Sequence, residues 1–136
     1  MAKYYTELLE MADQFKRLGY KVYSKLFRCC REEKHIVTYA YAVRDDGAFI
    51  YFQVDRIDSF TMSSVCVPSH ETGSGHRLGK RELGMDIWDS EGNLSAEAVD
   101  KAMNIAMSRM FGKPYSSFET YRKEEEKRWK VVFEEI

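Results

Sequence analysis

Proline is scarce in this chain: Pro68 and Pro114 are the two among 136 residues. No proline-rich or Gly/Ser-rich linker divides it, and no repeat is visible, so it reads as a single domain over residues 1–136. Cysteine is also sparse and odd in number, with Cys29, Cys30 and Cys66. No disulfide framework follows from that count. Neighbours on a strand face opposite ways, so Cys29 and Cys30 are not expected to bridge. No apolar run is long enough to cross a bilayer. The first fifteen residues mix acids among apolar residues and have no signal-peptide h-region, which points to reduced thiols and a cytoplasmic location. On that reading the sequon at Asn93 carries no glycan. An excess of charge is missing too. The net charge is −1 and the pI about 6.3, so no global basic field exists to support general nucleic-acid binding, and any attraction for phosphate must be local.

What remains is an ordinary globular composition, 44% hydrophobic and 32% charged, with a large aromatic share of 14%. Such rings belong at the margins of a core or at an interface. Tyr5, Leu8, Ala12 and Phe15 recur at helical spacing, which predicts an amphipathic first helix ending near Gly19. Residues 20–30 are rich in Tyr, Val and Phe and predict a strand. Residues 35–43 are strand-like with two apolar faces. Arg44-Asp45-Asp46-Gly47 predicts a hairpin turn into a strand over 48–55. Residues 59–67 predict a fourth strand, stopped by Pro68, and residues 82–88 a short fifth. Ser95 is a suitable N-cap for a helix that Gly112 and Pro114 terminate. Ser116 to Glu119 suggests a capping box opening a last helix, charged nearly all round, docked by Phe118, Tyr121, Trp129, Val132 and Phe133. The fold class is therefore α+β: an N-terminal helix, an antiparallel sheet of four or five strands in meander order, and two C-terminal helices covering one sheet face. The Tyr-rich sheet face is expected to receive the first or last helix, or a second copy of the chain.

Chemistry is best sought after Pro68. The segment His70-Glu71-Thr72-Gly73-Ser74-Gly75-His76-Arg77 combines glycines, hydroxyls and a guanidinium. Amides without a neighbouring Cβ approach an anion closely, and arginine adds a two-pronged fork. The spacing is neither a Walker loop nor a dinucleotide fingerprint. Thr72, Gly73, Ser74, Gly75, His76 and Arg77 are the candidate ligand-binding residues. Arg109 is a candidate second phosphate contact, and Phe60, Tyr51 or Trp88 a ring on which a base could stack. Cys66, His70 and His76 could together address a metal, but a structural zinc site wants a fourth ligand and tighter spacing. Cys66 paired with a histidine resembles a catalytic dyad only on paper, because an apolar strand setting makes a thiol inert. No catalytic residue, metal or cofactor is assigned. The expected function is non-catalytic binding of an anionic, nucleotide-like small ligand, in a sequestering or sensing role that would suit a phage or mobile element. The alternative is a protein-interaction module or enzyme inhibitor that docks through its aromatic sheet face or its charged last helix.

Overall fold

The computed structural model of the chain describes residues 6–27, 39–57, 60–68, 75–110, 117–129 and 131–136. Within them the order is α1 (Thr6–Arg17), β1 (Lys21–Phe27), β2 (Tyr39–Val43), β3 (Phe49–Ile57), β4 (Phe60–Pro68), β5 (Gly75–Arg77), α2 (Lys80–Leu83), α3 (Ala96–Met110), α4 (Phe118–Arg128) and β6 (Val131–Glu135). The strands make one antiparallel sheet in the order β5-β4-β3-β2-β1-β6. The first five run in meander order, as the sequence predicts, with Gly75–Arg77 as the fifth. The sixth returns from the far end of the chain to pair with β1.

Local signals explain most of these elements. The apolar stripe of α1 buries Leu8, Met11, Ala12 and Phe15. Asp46 shapes the β2–β3 hairpin by accepting the Ala48 amide at 3.2 Å while Arg44 grips its carboxylate. Ser117 caps α4: its hydroxyl accepts the Thr120 amide, and the Thr120 hydroxyl accepts the Ser117 amide. The capping box thus lies one residue later than predicted, with Thr120 in place of Glu119.

Two predicted elements differ. Residues 82–88 form no strand. The Gly79 amide donates to Glu82 at 2.9 Å and starts the single turn of α2, and Gly84 then adopts φ 70°, a left-handed geometry that a continuing strand could not contain. The last helix also stops early. Trp129 takes an extended conformation, and Val131-Val132-Phe133 becomes β6 instead of the end of α4. Two β-branched residues followed by an aromatic favour a pleated, half-buried edge over a helix turn.

Helices cover both faces of the sheet, not one. Register puts Tyr23, Tyr41 and Tyr51 on one face and Ser24, Ala40 and Phe52 on the other. On the second face Phe15 of α1 stacks on Phe52 at 4.8 Å. The Gln14 side chain accepts the Leu94 amide at 2.7 Å, tying α1 to the entry of α3 on that same side. The Tyr-rich face receives α4, whose Phe118 and Tyr121 lie 5.0 Å from Tyr23 and 4.9 Å from Phe49. The reason is visible in β2, where Tyr41 on one face and Ala40 and Ala42 on the other are all buried. A strand apolar on both sides must be sandwiched.

Candidate functional site

The expected anion site falls at one edge of the sheet. Thr72, Gly73, Ser74, His70 and Glu71 lie outside the described residues. Gly75, His76 and Arg77 do not continue a loop but form β5, paired antiparallel with β4 as Pro68↔Gly75, Val67↔His76 and Cys66↔Arg77. The Leu78 amide donates to the Val65 carbonyl at 2.9 Å. Hydrogen-bonded pairs alternate along an antiparallel ladder, so the His76 amide is committed to Val67. The amides of Gly75 and Arg77 face away from β4, and among the described residues β5 is the outermost strand on that side.

The register also sorts the remaining candidates. Tyr23↔Tyr41, Tyr41↔Tyr51, Tyr51↔Cys66 and Cys66↔Arg77 are successive cross-strand partners, so Arg77 stands at the end of a row led by three tyrosines. Phe60 pairs with Ile57 at the far end of the β3–β4 hairpin. It is six residues along β4 from Cys66, roughly 20 Å at strand rise, so the backbone does not bring it to Arg77. Tyr51, three strands into the sheet and half-buried, is in the row and is the better-placed ring. Arg109 occupies the last turn of α3, which packs on β3 and β4. Beyond Arg77 come Lys80 and Arg81, both exposed, with Lys80 only 3.6 Å from the exposed Asp86. Trp88 is half-buried and bridges to Leu94 across a turn that Asp89 caps by accepting the Glu91 and Asn93 amides.

For the metal reading, His70 lies outside the described residues, Cys66 is a buried thiol, and among the described residues no three His, Cys, Asp or Glu side chains converge.

Sequence reasoning missed a second constellation, beneath α4. The Tyr41 and Tyr121 hydroxyls lie 2.8 Å apart in the core. Lys25 Nζ donates to Glu125 Oε1 at 3.0 Å, and these two side chains are only 12% and 14% exposed. Burial pushes the Tyr121 phenol far above its ordinary value, helped by the facing Tyr41 and by a hydrogen bond to Glu125. The Tyr121 hydroxyl thus stands between the Tyr41 hydroxyl and the Glu125 carboxylate. The polar network runs from Tyr41 through Tyr121 to Glu125, and Lys25 closes it from β1. Arg122 sits over the Tyr23 ring at 5.5 Å. Such a chain locks α4 to the sheet. Among the described residues no buried polar side-chain atom lacks a partner. No sequence signal links Lys25 to Glu125 or Tyr41 to Tyr121, because the pairs are 100 and 80 residues apart.

The aromatic sheet face is largely consumed by this packing, since Tyr41 and Phe49 are buried under α4. Arg44 is likewise spent on Asp46 and Asp100, which lie 2.8 and 2.9 Å away. Among the described residues no helix is long and apolar enough to cross a membrane. Comparison with protein-family models, with curated proteins and with solved structures finds no match to this chain.

Proposed function

We propose that the chain is a non-catalytic binding protein that holds an anionic, nucleotide-like small molecule at the β5 edge. The observation that carries the reading is the direction of the Gly75 and Arg77 amides, which face outward from the sheet at the end of the tyrosine row. Two main-chain donors, the Arg77 guanidinium and the candidates Thr72, Gly73 and Ser74 would share the negative charge. Exposed Lys80 and Arg81 add positive potential in a protein whose net charge is near zero. Tyr51 is the ring in register for a base, in preference to Phe60. A protein with this equipment would sequester or sense its ligand, a role suited to a phage or mobile-element product working in a cytoplasm. Isothermal titration against a panel of mono-, di- and cyclic nucleotides tests it. At least one should bind, and Arg77→Ala should weaken that binding by roughly tenfold or more, the value of one charge-assisted contact. Flat traces across the panel remove the proposal.

A further inference from the structure

The opposite edge of the sheet carries a different feature. Among the described residues β6 is the outermost strand on that side. The Ile136 amide donates to the Val22 carbonyl at 3.0 Å, which fixes the alternation of the β1–β6 ladder. Val132 and Glu134 therefore direct their amides to β1, and Val131, Phe133 and Glu135 direct theirs outward. An open strand of this kind is a template for another strand. Its central outward donor is not left open. The Phe133 amide donates to Glu126 Oε1 at 3.4 Å, and the same oxygen accepts from Arg122 Nε at 3.3 Å. Phe133 itself is buried among Tyr41, Phe118 and Tyr121, so its amide cannot swing away.

We propose that Glu126 guards this edge, and that removing its carboxylate opens β6 to the β6 strand of a second copy. Self-pairing is the pattern the strand fits. Centred on Phe133, an antiparallel β6–β6 pair matches all three outward positions, Val131 with Glu135 and Phe133 with Phe133. Val132 then stands opposite Glu134, so no two like charges face each other. The basic end of α4, with exposed Lys127 and Arg128, comes alongside the acidic Glu134 and Glu135 of the other copy. The guarding carboxylate occupies the middle of that pairing and bars it. This edge lies across the sheet from Gly75–Arg77 and is independent of what binds there.

The test uses sedimentation velocity over a concentration series, with amide exchange followed by NMR. Glu126→Ala should gain an association step that the wild type lacks. Glu126→Gln keeps an acceptor oxygen and should behave as the wild type. Glu135→Pro removes an outward N–H without costing a bond to β1, so the double variant Glu126→Ala/Glu135→Pro should lose the new association. In the wild type the Phe133 amide should exchange roughly tenfold more slowly than that of Glu135, the worth of one hydrogen bond to a charged acceptor. The proposal is overturned if Glu126→Ala keeps the wild-type mass at every concentration, or if the double variant still associates. Equal exchange of Phe133 and Glu135 in the wild type overturns it as well, whether or not the alanine variant folds.

Discussion

The ion pair under α4 can be weighed against its own burial by changing each partner alone and then both. Lys25 Nζ and Glu125 Oε1 are 3.0 Å apart. At an effective dielectric near 20 their attraction is about 5 to 6 kcal/mol. Desolvating the two ions costs several kcal/mol each at full burial, and somewhat less at the 12% and 14% exposure that remains. The net worth of the pair is therefore small, although the cost of stranding one member is not. Lys25→Met leaves the mostly buried Glu125 carboxylate without its ammonium partner, beside Tyr121. Glu125→Gln leaves an ammonium half-inside the sheet and keeps an oxygen for Tyr121. Each single change should lower the unfolding free energy by about 2 to 4 kcal/mol. The double change leaves no net charge buried and should recover about 2 kcal/mol of the summed loss. Urea unfolding followed by tryptophan fluorescence and far-ultraviolet dichroism measures all four corners of the cycle. Additivity within about 0.5 kcal/mol would falsify the reasoning, because the two groups would then be solvated independently.

Further outcomes follow from the same packing. Gly47 adopts φ 92°, and a Cβ there would lie 2.8 Å from Ser117 Cβ, while its carbonyl accepts the Phe118 amide at 2.8 Å. Gly47→Ala should cost about 2 to 4 kcal/mol, combining left-handed strain with a displaced cap on α4, and thermal unfolding should show it. Tyr121 and Tyr20 both have raised phenol values, each chiefly from burial. The fold thus favours their neutral forms. Their contribution is intact below the ordinary phenol range near 10 and declines as pH rises above it. The urea midpoint should fall on the alkaline side of about pH 10, and Tyr121→Phe should flatten that fall; an unchanged slope would count against the buried-phenol account.

Much of the architecture was legible because its causes are local. The stripe of α1, the Asp-Gly hairpin, the Ser95 start of α3 and the strand character of β1 to β4 depend on spacing and turn chemistry within a few residues. The basic, glycine-bearing segment after Pro68 was legible as composition. Its geometry was not, because Gly75 to Arg77 become a strand only by pairing with β4.

Pairing between distant segments is what tertiary structure decided. Val131 to Glu135 is too short to declare itself, and it becomes a strand because β1 offers an unsatisfied edge. The same closure put α4 over the tyrosine face, joined Lys25 to Glu125, and set the Glu126 carboxylate on the Phe133 amide. Amino-acid order alone determined which stretches are amphipathic and where the chain turns, since those preferences are short-ranged. Which face each helix covers, which ring stands near Arg77 and which amides reach the sheet's margins are set by register, because a shift of one residue reverses every side chain and every hydrogen bond along a strand.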